Sequence, residues 1–300
     1  MNSKIRTDLA VEAQQLWRET AGQTGSLPGV RAWDREEAGF TVSTVEILDG
    51  QGEQALGKSR GKYVTVELDG YIRREENAFA DACAVLSTEL RSLCALEKSG
   101  NVLVVGLGNR GITPDAIGPD AVDCVMVTRH LKERMPEDFA AFRPVAAVCS
   151  GVLGTTGVES GEIVSAVAER IHPDLVIAID ALASRSTERL CRTVQIADTG
   201  IVPGSGVGNA RKALNRESLG VPVIAVGVPT VVDAATLTID LASKAGAELD
   251  PESFGAAGGM IVTPKDIDQS VRDIAKLIGY AVNLALHEGL TIEDVDMFLS

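Results

Sequence analysis

Between residues 102 and 226, short apolar runs alternate with stretches of helical periodicity, and this alternation most constrains the fold. The runs at 102–105, 145–149, 175–179 and 222–226 have the length and composition of buried strands. Amphipathic stretches lie between them, the clearest at 115–134 and 161–171. Strands that alternate with helices in this way form a mostly parallel sheet with helices on both faces. The sequence therefore predicts an α/β fold.

Further elements are predicted on either side of this region. Residues 41–48 and 62–68 alternate like strands, and each segment is followed by an Asp-Gly turn signal. They predict a small antiparallel β subregion, an edge or flap, at about 40–70. Helical spacing is present at about 73–98, 266–288 and 292–299.

Composition excludes several classes of function. A net charge of −14 argues against binding nucleic acid, which requires a basic face. The N-terminus lacks the apolar core of a secretory signal, and no apolar run approaches the length of a membrane span. We expect a cytoplasmic protein. The five cysteines include no C-x-x-C pair, so buried apolar roles are expected rather than zinc or redox use.

Two aspartates stand where an α/β sheet usually carries its site. Such sites lie beyond the carboxyl ends of the strands. Asp115 follows the first strand of the alternating region, and Asp180 ends the third. In the common 2-1-3 strand order these strands are neighbours, so both carboxylates would open into one crevice. Neighbouring carboxyl groups can divide acid and base roles, which suits amide hydrolysis. Alternatively, neither residue has a function: the negative charge of Asp115 stabilises a helix N-terminus, and Asp180 ends a strand in a turn.

Other chemistries are less well supported. The glycines in 106–111 fit G-x-G-x-x-G, a dinucleotide-binding pattern, but Thr113-Pro114 starts a helix only after the third glycine. An acid closing the second strand is also missing. Asp233 is either a third acid at this edge or a helix N-cap. Ser205 lacks the first glycine of G-x-S-x-G, and Cys149 lacks an obvious activating histidine.

A metal site is also weakly supported. None of His130, His172 and His287 stands at the carboxyl end of a predicted strand. A metal site would need histidines there, or more acids. The glycine-rich loops 151–157 and 204–208 can either admit an extended peptide or simply turn tightly.

Several sequence blocks occur in the order found in one known family. The chain resembles the germination proteases of spore-forming bacteria, endopeptidases that degrade small acid-soluble spore proteins. The resemblance runs from residue 5 to at least residue 233. The blocks that carry it are Ile5–Glu12, Val104–Asn109, Thr113–Pro119, Val127–His130, Gly154–Glu159, Val176–Ala183, Asp198–Gly200, Pro203–Asn209 and Gly227–Asp233.

The resemblance implies a fold similar to the hydrogenase-maturation peptidases and an aspartic-type mechanism on Asp115 and Asp180. It implies no cofactor, and no metal, because the histidine that completes the metal site of those relatives has no counterpart here. It further implies a homotetramer and a zymogen cut between Asp8 and Leu9. Residues 1–8 would then be a presequence and residues 9–300 a single peptidase domain.

This sequence also departs from the family pattern. Arg110-Gly111 replaces an aromatic and a polar residue, the presequence is short, and the match fades beyond about 245. Two other functions stay open. One is a metal-dependent maturation peptidase of similar fold, and the other is a non-catalytic nucleotide-binding module.

Overall fold

A single mixed sheet organises the molecule. The computed structural model describes residues 5–21, 27–94, 100–208, 210–247, 249 and 260–300. The strand order is β1-β2-β3-β7-β8-β6-β4-β5, and β9 pairs with β8. The strands are β1 (Val30–Glu37), β2 (Phe40–Ile47), β3 (Gly61–Glu67), β4 (Val102–Leu107), β5 (Val145–Gly151), β6 (Leu175–Ser184), β7 (Thr193–Ala197), β8 (Val223–Asp233) and β9 (Ile261–Val262).

Helices connect and cover these strands. The α-helices are α1 (Ala10–Ala21), α2 (Gly50–Leu56), α3 (Asp69–Ile72), α4 (Ala78–Leu93), α5 (Ile117–Val122), α6 (Arg129–Arg134), α7 (Leu153–Thr156), α8 (Ser160–Ile171), α9 (Arg216–Leu219), α10 (Ala234–Lys244), α11 (Ile267–Leu286) and α12 (Ile292–Leu299). Short 3₁₀ turns lie at Thr113–Asp115, Thr187–Arg189 and Ser205–Val207. Within the described residues, no helix has the length and apolarity needed to cross a membrane.

The α/β class predicted from the alternating pattern is confirmed. Strands β5, β4, β6 and β8 are parallel neighbours in that order. Strand β4 lies between the next two strands of the chain, which is the 2-1-3 arrangement. Every residue of β4 and of β8 is buried, as expected for parallel strands covered on both faces.

Helices lie on both faces of this sheet. On one face, α4, α5 and α11 pack over alternate residues such as Val104 and Ile177. On the other face, α8 packs over Leu103 and Val176, and α1 packs over the strands nearer the N-terminus. The alternation of side chains along each strand therefore divides the core into two layers.

The N-terminal strands form the antiparallel edge of the same sheet. Strands β1, β2, β3 and β7 are joined by antiparallel pairings, and β7 pairs antiparallel with β8. Strand β1 was not predicted, because its sequence is largely charged and its residues are mostly exposed. It is an edge strand that is held in place by its hydrogen bonds to β2 rather than by burial of its side chains.

Two boundaries differ from the sequence interpretation. The helix expected at 115–134 is divided into the 3₁₀ turn at Thr113–Asp115, the short α5 and the separate α6. Strand β6 continues past Asp180 to Ser184, because β8 continues beside it and pairs with it up to Val232. Asp180 therefore lies within a strand and does not end it.

Two glycines let the turn after β4 pack closely against the sheet. A Cβ atom on Gly118 would lie 2.3 Å from the carbonyl oxygen of Leu107 and 2.4 Å from that of Ile179. A Cβ atom on Gly106 would lie 2.6 Å from the carbonyl oxygen of Gly118. Helix α5 can therefore contact the ends of β4 and β6 only through glycine.

We predict that Gly118→Ala lowers the free energy of unfolding by about 1–3 kcal/mol, because backbone atoms must move to admit the methyl group. Alanine is intrinsically favoured within a helix, so a loss must come from this contact. Urea unfolding measures the effect. Gly50→Ala is the control, since its Cβ would meet nothing within 4 Å, and we expect a change below about 0.5 kcal/mol. Equal values for the two variants would contradict the prediction.

Candidate active site

Asp115 and Asp180 line the same cavity, which has a volume of about 440 Å³. Asp115 ends the 3₁₀ turn that follows β4, and Asp180 lies one residue beyond the last β4–β6 pair, Gly106 with Ile179. The cavity thus opens at the carboxyl edge of two adjacent parallel strands. This is the usual position of a site in an open α/β sheet.

The glycine-rich turn folds around the backbone of Asp115. Gly108 has a φ of +112°, and a Cβ atom there would lie 2.1 Å from the carbonyl oxygen of Asp115. The amide of Asn109 donates to that oxygen at 2.9 Å, and the amide of Gly111 donates to Oδ1 of Asn109 at 2.9 Å. These amides are used within the turn, so they do not form the open cradle that a dinucleotide phosphate requires.

The two carboxyl groups differ in their environment. Burial raises the pKa of Asp115 to about 6, against an opposing hydrogen bond from Asn109. Asp180 is only 5% exposed, and burial, followed by the charge of Asp115, raises its pKa well above the ordinary value. A hydrogen bond of 2.9 Å from the amide of Ala181 to Oδ1 partly opposes this shift. Of the two groups, Asp180 therefore holds its proton more tightly, because both burial and the charge of Asp115 oppose its ionisation.

A third carboxyl group, that of Asp8, lines the same cavity, and its charge contributes to the raised pKa of Asp180. Asp8 is one of the two residues expected to flank the processing site. Its neighbour Leu9 is fully buried beside Leu182. Residues 1–4 of the expected presequence lie outside the described residues.

The other acids and nucleophiles considered from the sequence lie in different settings. Asp233 caps α10, with its Oδ1 accepting a hydrogen bond of 2.9 Å from the amide of Thr236. Cys149 is exposed, and its Sγ lies 3.9 Å from a guanidinium nitrogen of Arg110. The hydroxyl of Ser205 donates to Oδ1 of Asp8 at 2.7 Å. Of these three, none lines the cavity beside Asp115 and Asp180.

The histidines do not gather at this site. His130 and His172 are exposed, and His287 is buried, with its Nδ1 accepting from the amide of Arg143 at 3.3 Å. Among the residues that the structure describes, no three His, Cys, Asp or Glu side chains are close enough together to hold a metal ion.

Sequence reasoning missed the residues that contact Asp8. These are Lys58, Ala183 and Gln195, together with the carboxylate-binding role of Ser205. The only sequence signal was the glycine-rich context of Ser205, which was compatible with close approach of a peptide.

Comparison with known proteins identifies the chain. The family model Peptidase_A25, germination protease, matches residues 10–244. The germination protease of Caldanaerobacter subterraneus subsp. tengcongensis is 44% identical, covering 98% of each chain. Those of Clostridium perfringens and Clostridium tetani are 42% and 41% identical, each covering 99% of both chains.

The α/β chain is therefore a peptidase, and it acts on protein. It belongs to the germination protease family, which confirms the resemblance drawn from the sequence blocks. The same finding removes the non-catalytic nucleotide-binding module as an alternative. Among solved structures, a [NiFe] hydrogenase maturation protease HycI from Thermococcus kodakarensis KOD1 matches with a TM-score of 0.36 and 17% identity, covering 65% of this chain and 98% of that chain. At this TM-score the similarity supports no argument about mechanism.

We predict that Asp115→Asn stabilises the protein near neutral pH. The pKa of Asp115 is raised on folding from 3.8 to about 6, so the folded state favours the protonated form. Its contribution to stability is full below about pH 4 and is lost as the pH rises through 6. The variant should gain about 1–2 kcal/mol at pH 7.5, after allowance for partial exposure, and little at pH 4. Thermal unfolding at both pH values measures this, and a pH-independent difference would contradict it.

Proposed function

We propose that the chain is an endopeptidase that hydrolyses small acid-soluble spore proteins during germination, with Asp115 and Asp180 as an aspartic-type catalytic pair. The observation that carries the mechanism is the pairing of two carboxyl groups at one cavity, with the pKa of each raised by burial and the ionisation of Asp180 further opposed by the charge of Asp115. Family membership supports the substrate class.

In the proposed mechanism, Asp115 is the base and Asp180 the acid. Asp115 removes a proton from a water molecule, whose oxygen attacks the carbonyl carbon of the peptide. Asp180 donates its proton to the carbonyl oxygen, giving a neutral tetrahedral diol. The carboxyl group of Asp115 then gives its proton to the leaving nitrogen as the C–N bond breaks. Asp180 recovers a proton from the diol, so both groups return to their starting states.

This mechanism uses the difference in pKa between the two groups. A base with a pKa near the working pH is largely ionised yet still takes up a proton readily. An acid whose pKa is raised keeps its proton to higher pH and can donate it to the carbonyl oxygen. Burial is the main cause of both shifts, so the position of the two carboxyl groups in the fold also sets their acid–base behaviour.

We also propose that the chain is made as a zymogen and cuts its own Asp8–Leu9 bond. Asp8 lies at the cavity that contains the catalytic pair, which supports this position for processing. Residues 1–8 then form the presequence and residues 9–300 the mature peptidase. The same family membership supports a homotetramer located in the cytoplasm of the spore core.

The test of the catalytic pair compares Asp115→Asn and Asp180→Asn with the wild type. We expect each to lower kcat/KM on a small acid-soluble spore protein by about 10²–10⁴-fold, because each removes a proton-transfer step. Asp233→Asn is the matched control. Asparagine caps a helix as well as aspartate does, so this variant should retain activity. Undiminished cleavage by a folded Asp180→Asn variant would refute the assignment.

A chelator should leave the rate unchanged if no metal takes part. Loss of activity with the chelator, restored by added metal, would instead favour the mechanism of a metal-dependent maturation peptidase. Metal analysis of the purified protein gives an independent reading.

Processing is tested by intact-mass measurement. We expect the wild-type chain to lose residues 1–8 and to retain Leu9 as its new N-terminus. The Asp180→Asn variant should stay at full length, because processing and substrate cleavage use the same pair. A mature N-terminus at another residue would show that the Asp8–Leu9 assignment is wrong.

A further inference from the structure

Every polar atom of Asp8 has a protein partner. Its amide donates to the carbonyl oxygen of Ala183 at 2.9 Å. Its carbonyl oxygen accepts from Nζ of Lys58 at 2.8 Å and from Nε2 of Gln195 at 3.2 Å. Its carboxylate accepts from the amide of Ala183 at 2.8 Å and from the hydroxyl of Ser205 at 2.7 Å. A residue bound through all of its polar groups occupies a site built for an acidic residue.

The strand that binds Asp8 has an edge available for a peptide. Strand β4 pairs with β6 only as far as Ile179, whereas β8 on the other side pairs with β6 as far as Ser184. Within the described part of the chain, Asp180–Ser184 therefore lacks a strand partner on the cavity side. An extended peptide can bind to such an edge through its backbone, and Asp8 does so at Ala183.

The carboxylate lies against a glycine. A Cβ atom on Gly206 would lie 2.0 Å from Oδ2 of Asp8, so any larger residue there would displace the carboxylate. The two oxygens receive one hydrogen bond each, from Ser205 and from the backbone of Ala183. Hydrogen bonds to an ionised acceptor are roughly twice as strong as those between neutral groups. This arrangement favours aspartate or glutamate over their amides.

The backbone following Asp8 is held just as specifically. Gln195 is only 7% exposed; its Nε2 donates to the carbonyl of residue 8, and its Oε1 accepts from the amide of Ala10 at 2.7 Å. It therefore contacts the chain on both sides of residue 9. Leu9 itself packs against Leu182 and Ile201 in an apolar setting. The site thus accommodates an acidic residue followed by an apolar one.

We propose that Ala183, Ser205 and Gly206 form the subsite for the acidic side chain that precedes the cut bond in the substrate. The contacts of Lys58 and Gln195 with the carbonyl oxygen of Asp8 belong to the uncut chain at rest. Asp8 is the occupant in the unprocessed chain, and a substrate residue takes its place after processing. This assignment rests on the proposed endopeptidase function and adds to it the residues that set specificity.

The first test measures cleavage of two peptides by the processed enzyme. One peptide carries Thr-Asp-Leu-Ala, and in the other asparagine replaces that aspartate. We expect the wild type to prefer the acidic peptide and Ser205→Ala to lose at least about 10-fold of that preference. The loss should arise mainly from a higher KM for the acidic peptide, with kcat much less affected. Ser92→Ala, an exposed position on α4, is the control and should match the wild type.

These outcomes separate the subsite from the proposed function. If the wild type cleaves and Ser205→Ala keeps the full preference for aspartate, the subsite is wrong and the endopeptidase function stands. If the wild type cleaves neither peptide nor a spore protein, the endopeptidase function fails. The binding of Asp8 by Ser205 can then be judged only by a measurement that does not depend on catalysis.

That measurement is thermal unfolding of the unprocessed chain, kept at full length by Asp180→Asn. We expect Ser205→Ala to lower Tm by a few degrees when Asp8 is present, because its hydroxyl then binds the carboxylate. In an Asp8→Ala background the same substitution should have almost no effect, since the carboxylate is already absent. An equal shift in both backgrounds would overturn the assignment of Ser205 to a carboxylate subsite.

Discussion

The site depends on the contact between the turn after β4 and the end of β6. Gly118 brings α5 against the carbonyl oxygens of Leu107 and Ile179, the residues just before the cavity on the two strands. This contact fixes the distance between the segment that carries Asp115 and the strand that carries Asp180. Burial at that edge of the sheet is the main cause of the raised pKa of each carboxyl group. Close backbone packing and acid–base chemistry are therefore linked at one place.

The central strands could be predicted from the sequence because their burial leaves a direct signal. Strands β4 and β6 begin as uninterrupted apolar runs, and the order of the parallel strands follows from the common arrangement of such folds. The extension of β6 beyond Ile179 could not be predicted, because it depends on pairing with β8, which lies more than 40 residues further along the sequence. The charged edge strand β1 could not be predicted for a similar reason. It is held by pairing with β2 rather than by burial, so its sequence carries no apolar pattern.

The candidate site, too, could be predicted from the sequence only in part. Asp115 and Asp180 could be proposed from their positions after apolar strands, before any family resemblance was considered. The contacts around Asp8 could not be predicted from the sequence. They join residues separated in sequence by 50 positions for Lys58, 187 for Gln195 and 197 for Ser205. A hydroxyl, an amide and an ammonium group are common on any protein surface, and only their convergence on one residue gives them a role.

Gln195 has a consequence for the way a peptide enters the cleft. Its side-chain amide has a donor at one end and an acceptor at the other, and these ends contact a carbonyl at residue 8 and an amide at residue 10. Rotation of this amide would exchange its donor and acceptor, but two other partners have fixed polarity: the ammonium group of Lys58 only donates, to the carbonyl of residue 8, and the carbonyl oxygen of Ala183 only accepts, from the amide of residue 8. Together these groups distinguish the two directions of a polypeptide. In the proposed subsite, the direction of the bound chain is therefore recognised along with its charge.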